Sequence, residues 1–101
     1  RKSIVVRFRF VEKGVRMAHS GDPVIDKKGK VIGVVTSCAI DSEGFLTGLA
    51  YIEEKANEEG ALISIYQGSP EFIGKQPNQL EIGDKIKLPS TAQIISRFPK
   101  A

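Results

Sequence analysis

Apolar and polar residues alternate with period two from Ser3 to Phe10, with Ile4, Val6, Phe8 and Phe10 on one side and Ser3, Val5, Arg7 and Arg9 on the other. Alternation of β-branched and aromatic side chains predicts a half-buried strand. Glu12-Lys13-Gly14 predicts a turn, and residues 15–18 a short extended piece. Residues 23–25 form the next apolar run and enter Asp26-Lys27-Lys28-Gly29-Lys30. A glycine that can take positive φ makes that stretch a hairpin turn. Val31–Ile40 and residues 45–52 are apolar on both faces, each with an internal glycine (Gly33 and Gly48). That pattern predicts strands covered on both sides or bent sharply.

Residues 53–60 are almost wholly polar, and only Ala56 can reach a core, so they predict a solvated loop or one helical turn. Residues 61–66 predict another strand, closed by Gln67-Gly68-Ser69-Pro70. Residues 70–80 are rich in Gly, Pro, Asn and Gln and predict an excursion. Leu80-Glu81-Ile82-Gly83-Asp84 turns into residues 85–88, and residues 91–98 supply the last strand. Six or seven short strands, close turns and no long helix predict an all-β fold. Gly33 and Gly48 inside strands favour a small antiparallel, Greek-key-like barrel, since glycine permits tight coiling.

The chain has 101 residues, which is one domain with enough length for a single core. Its 15 basic and 12 acidic residues leave a net charge of +3. The basic residues are interleaved with acids such as Glu53, Glu54, Glu58 and Glu59, which argues against the basic stripe of a nucleic-acid binder. Cys38 and His19 are each the sole residue of their type, which excludes an internal disulfide and a Cys or His metal cluster. A lone thiol suits a reducing, cytoplasmic compartment. No apolar run approaches a membrane span. The chain begins at Arg1 and its one methionine is Met17, which reads as part of a longer polypeptide.

Several segments match a known pattern in order and spacing. They are Arg16-Met17-Ala18-His19-Ser20-Gly21-Asp22-Pro23-Val24, Val31-Ile32-Gly33-Val34-Val35-Thr36-Ser37, Leu49-Ala50-Tyr51-Ile52, Gly60-Ala61-Leu62-Ile63-Ser64-Ile65 and Arg97-Phe98-Pro99. Together they resemble a divergent branch of the C-terminal barrel domain of the glycine-cleavage T-protein (aminomethyltransferase) family. Cys38 stands where the family has glycine, and Asp41-Ser42-Glu43-Gly44 replaces its Ser-Pro turn. His19 occupies the slot of the family's arginine, with Arg16 three residues earlier. About twenty residues, 68–90, replace a short link.

The resemblance implies transfer of an aminomethyl group from a lipoyl carrier protein to tetrahydrofolate, within the glycine cleavage system of one-carbon metabolism. It places the folate-binding and acid residues in an N-terminal module of the same chain, so this domain is expected to be non-catalytic alone and to help close the folate channel. A folate-dependent demethylase or methyltransferase relative is one alternative. A small barrel that binds a protein or RNA without catalysis is the other. On the family reading the candidate substrate- or folate-binding residues are Arg16, His19, Thr36 and Ser37. Arg16 and His19 offer hydrogen-bond donors to a carboxylate. The competing reading makes Arg16 a solvated charge, His19 a turn residue, and Thr36 and Ser37 hydroxyls that satisfy backbone groups. Cys38 is either a nucleophile with a neighbouring base or an inert buried thiol. Asp22, Asp26, Asp41 and Glu43 sit at turn signals and are expected to shape turns. No catalytic residue and no metal ligand set is assigned, and no glycine-rich phosphate loop is present.

Overall fold

The computed structural model describes residues 2–67, 81–84 and 91–95. Six strands are present: β1 (Ser3–Phe10), β2 (Pro23–Asp26), β3 (Val31–Ile40), β4 (Leu46–Glu53), β5 (Leu62–Ile65) and β6 (Ala92–Ile95). They close into a barrel in the order β1-β4-β3-β2-β5-β6, every pair antiparallel. The hairpin-linked β2, β3 and β4 lie side by side and β1 returns beside β4, which is a Greek-key arrangement. The helical structure among the described residues is a single turn at Glu54–Ala56, within the stretch expected to be a loop or one turn.

Closure removes exposed sheet edges. Strand β1 pairs with β4 along most of its length, Ser3 opposite Glu53 through Arg9 opposite Thr47. Its second half also pairs with β6, Arg7 opposite Ile95 through Phe10 opposite Ala92. The alternation read in β1 holds: Val6, Phe8 and Phe10 are buried and their neighbours are not. Phe8 and Phe10 meet edge to face, centroids 5.8 Å apart at 77°, and pack with Val24, Val35, Ala50, Ile52, Ile63 and Ile94 in one core.

The coiling depends on two glycines. A Cβ on Gly33 would lie 2.1 Å from the Tyr51 carbonyl oxygen, and one on Gly48 would lie 2.2 Å from the Ser37 carbonyl oxygen and 2.7 Å from the Phe8 ring. Strand β3 bends beside them. Its pairing slips by one residue against β2, between Val24 and Ile25, and again against β4, between Val35 and Ser37. Such bulges raise local twist.

Of the two readings of β3, covered on both sides or bent sharply, the bend is the one present. Val31, Ile32 and Gly33 are buried, whereas Thr36, Ser37, Ala39 and Ile40 are exposed. In the far half of β3, Cys38 packs against the core while its neighbours lie exposed in one arm of the β3–β4 hairpin. Residues 15–18 are irregular rather than extended in a strand. The expected excursion 70–80 and strand 85–88 lie outside the described residues, as do residues 96–98. Between the excursion and the strand, 81–84 form a turn that docks on the start of β3: the Gly83 N–H donates to the Val31 carbonyl at 3.0 Å, and the Val31 N–H donates to the Asp84 carbonyl at 2.8 Å.

Adding one methyl at either close approach forces backbone apart, so Gly33→Ala and Gly48→Ala are each expected to cost about 2–4 kcal/mol in urea unfolding. Gly14→Ala, at φ +77° with open space around it, is expected to cost about 1 kcal/mol from backbone conformation alone. Equal costs at the three sites would remove close packing as the reason for the strand glycines.

Candidate functional site

The loop between β1 and β2 holds two of the expected site residues and is tied down by backbone bonds. The Gly21 N–H donates to the Val35 carbonyl and the Val35 N–H to the Asp22 carbonyl, both at 2.8 Å. Within the loop, the His19 N–H donates to Asp22 Oδ2 at 2.8 Å, and the Asp22 N–H donates to the His19 carbonyl at 3.0 Å. Asp22 is buried and His19 is exposed. Farther back, the Arg16 guanidinium donates to the Gln67 carbonyl while Gln67 Nε2 donates to the Arg16 carbonyl. Arg16 therefore serves to tie its loop to the end of β5.

The other two expected residues sit at the β3 bulge. Thr36 is the extra residue, and its hydroxyl donates to the Leu49 carbonyl at 3.2 Å. Ser37 lies on the outer face, opposite Leu49, and with Arg7 it borders a shallow depression of about 260 Å³. The structure thus brings the loop and β3 together through backbone, at Gly21, Asp22 and Val35. It gives Arg16 and Thr36 hydrogen bonds to carbonyls of the chain itself, and leaves His19 and Ser37 exposed.

Cys38 is half-buried beside this loop. Burial raises its thiol pKa above the ordinary value; a hydrogen bond with the Ala18 backbone opposes this and the charge of Asp22 adds to it. A raised thiol pKa disfavours the thiolate and so supports the inert-thiol reading, because activation needs a cation or base that favours the thiolate.

Asp41 was legible as a turn residue, and it does more than form a turn. Its Oδ1 accepts from the Glu43 and Phe45 N–H groups at 2.9 and 3.0 Å, and its Oδ2 accepts from the Thr47 hydroxyl at 3.1 Å. Arg9 Nε stands 3.4 Å from Oδ2, while Arg9 Nη2 donates to Glu43 Oε1 at 3.0 Å. The same guanidinium lies 4.0 Å from the centre of the Phe45 ring, with Lys13 Nζ at 5.2 Å. Partial desolvation opposes ionisation of Asp41, yet the amides of Phe45 and Glu43, the Thr47 hydroxyl and the Arg9 charge outweigh it and hold its pKa low. This network fixes the β3–β4 hairpin to β1.

Glu53, expected to open a solvated loop or helical turn, is instead the last residue of β4 and is buried. Alternation along β4 puts Ile52 inside and so points Glu53 outward, yet both are buried. The strand ends there, and the Glu53 carboxylate is covered by Lys30 Nζ at 3.7 Å and Lys55 Nζ at 3.8 Å. It joins the β2–β3 turn to the turn that follows β4. Lys55, two residues on, is the one local signal for this pair, whereas Lys30 reaches the carboxylate only through the fold.

On the outer face, register aligns Val5, Tyr51 and Val34 across β1, β4 and β3, each at least 38% exposed. A cavity of about 600 Å³ opens instead between the β2–β3 turn and the β4–β5 connection. Among the described residues no group of three or more His, Cys, Asp or Glu could hold a metal ion, and no helix is long and apolar enough to cross a membrane. Comparison with known proteins finds no matching family, no matching characterised protein and no matching solved structure.

Two outcomes follow. Asp41→Asn is expected to lower stability at neutral pH. Because the folded pKa of Asp41 is depressed, its contribution is present above the unfolded value near 4 and is lost as pH falls through the lower folded value. The gap between wild type and variant in urea midpoint should therefore close on acidification, and a gap independent of pH would contradict the network. Cys38 should react with iodoacetamide at about pH 7.5 more slowly than an unstructured cysteine peptide, and an equal or faster rate would contradict its assignment as inert.

Proposed function

We propose that this chain is the C-terminal barrel of a T-protein-like, tetrahydrofolate-dependent aminomethyltransferase, acting as architecture rather than as the chemical centre. One observation carries the reading: three of the resembling segments become adjacent strands. Pro23 and Val24 of β2 pair with Val34 and Gly33 of β3, which pair with Tyr51 and Ile52 of β4. Segments separated along the sequence thus build one continuous wall. The hydrogen bonds of Arg16, Thr36 and Asp41 to the chain's own backbone also suit a structural role.

On this reading tetrahydrofolate is held by an N-terminal module of the same polypeptide, and a lipoyl carrier protein delivers the aminomethyl group. The barrel closes one side of the channel. Its exposed loop edge, with His19 and Ser37, is the part placed to meet the folate or its carboxylate tail, and the outward row Val5, Tyr51 and Val34 is the surface for the N-terminal module. The thiol of Cys38, unpaired by any second cysteine, suits a cytoplasmic setting.

The test is the native polypeptide itself, recovered with an antibody against the barrel. The expected result is a chain several times larger than 11.0 kDa that releases ammonia from an aminomethylated carrier only when tetrahydrofolate is supplied. A native chain of 11.0 kDa, or a larger one without that activity, would overturn the assignment.

A further inference from the structure

Closure stops short of one segment. Strand β2 accompanies β3 only as far as Val34, opposite Pro23, and the loop before it adds the bonds of Gly21 and Asp22 to Val35. Strand β4 continues farther and pairs with β3 from Ser37 to Ile40. Residues 37–40 therefore have β4 on one side and no described strand on the other.

The hairpin fixes which way the main-chain groups of this segment point. The Asp41 N–H donates to the Phe45 carbonyl at 2.7 Å. Bonding alternates along an antiparallel strand, so Ser37 and Ala39 also turn their N–H and C=O groups to β4, while Cys38 and Ile40 turn theirs away. No described residue bonds the outward groups of Cys38 or Ile40. The Ala18 backbone reaches the Cys38 thiol, which packs toward the core, and leaves the edge open. Ile40 is 66% exposed, and Ala39 is exposed beside it. Residues 36–40 contain neither a charge nor a proline, the usual guards of an open edge.

We propose that this edge pairs with the same edge of a second copy of the chain, antiparallel and about a two-fold axis through Ala39. Donors and acceptors at the spacing of a strand call for an extended backbone. The register follows from which positions are open. Centring on Ala39 sets Cys38 and Ile40 of one copy against Ile40 and Cys38 of the other, and all the outward groups are bonded. Centring on Cys38 or on Ile40 brings only one open position against its own counterpart and wastes the other. With the axis at Ala39, the closely spaced pair that exchanges no hydrogen bond is alanine against alanine, which two small side chains permit. The exposed Ile40 side chain then lies against Cys38 of the second copy on one face of the joined sheet. This match of the edge to itself selects a copy over a foreign strand. Each chain carries a net charge of +3, yet no charge lies within the paired segment to oppose the approach. This inference does not depend on the transferase reading.

An edge this short gives weak association, with a dissociation constant on the order of 0.1–1 mM. The test is amide NMR of the ¹⁵N-labelled chain under reducing conditions, from about 20 µM to about 1 mM, with sedimentation equilibrium on the same samples. The expected result is a monomer–dimer equilibrium in which solvent exchange of the Cys38 and Ile40 amides slows at least about twofold at the highest concentration. Exchange of the Ser37 and Ala39 amides, bonded to β4, should not change. Ile40→Lys puts a charge into the pair at an exposed position and should weaken association by about tenfold or more, with core amide shifts kept. A chain that stays monomeric at about 1 mM would overturn the proposal and leave the edge to a strand of another protein. A dimer whose slowed amides lie elsewhere, or one that Ile40→Lys leaves equally tight, would overturn it too.

Discussion

The architecture depends on how closely the backbone of β4 is approached at Gly48 and that of β3 at Gly33. The Phe8 ring lies over Gly48, filling the space a side chain would occupy. Strand β1 can therefore lie flush on β4 while its other edge pairs with β6. A wider separation there would displace Phe8 and Phe10 from the core and draw β1 away from β6. Gly33 performs the matching task where β3 passes from β2 to β4, next to both slips in register. Closure is therefore a packing constraint set by two missing side chains and met by one aromatic ring.

A second layer of interactions is polar and lies at the ends of the barrel. Asp41 organises the outer hairpin, where two backbone amides, one hydroxyl and Arg9 converge on one carboxylate. Glu53 joins two connections at another place on the barrel. A buried carboxylate such as that of Glu53 is costly unless neighbouring charge compensates it, so Glu53 fixes geometry more than it adds net stability. The side chains of Asp41 and Glu53 are thus committed to the shape of the barrel.

Much of this was legible in the chain. Alternation in β1, the hairpin turn at Gly29 and the strand glycines all express local rules, and Gly29 does take positive φ at 89°. The all-β barrel followed from them. For β3 the choice between a strand covered on both sides and a bent one stayed open, because an apolar run does not say which neighbours will cover it, and Ile40 is 66% exposed. Glu53 was placed in the polar stretch that follows β4 because Lys30, one of the two lysines beside its carboxylate, reaches it only through the fold. Of the four residues tied to function, Arg16 and Thr36 turned out to bond backbone carbonyls, an outcome that composition and spacing leave open. His19 and Ser37 remain exposed, so their part in function rests on the family reading.

If closure is the constraint on which the fold depends, the seam between β1 and β6 must open together with the rest of the barrel. Native-state amide hydrogen exchange measures this directly. The account predicts that amides hydrogen-bonded across β1–β6 share the opening free energy of those across β3–β4, as one cooperative unit. A seam that exchanges through a separate, lower-energy opening while β3–β4 stays protected would show that the barrel is an open sheet with a loosely added strand.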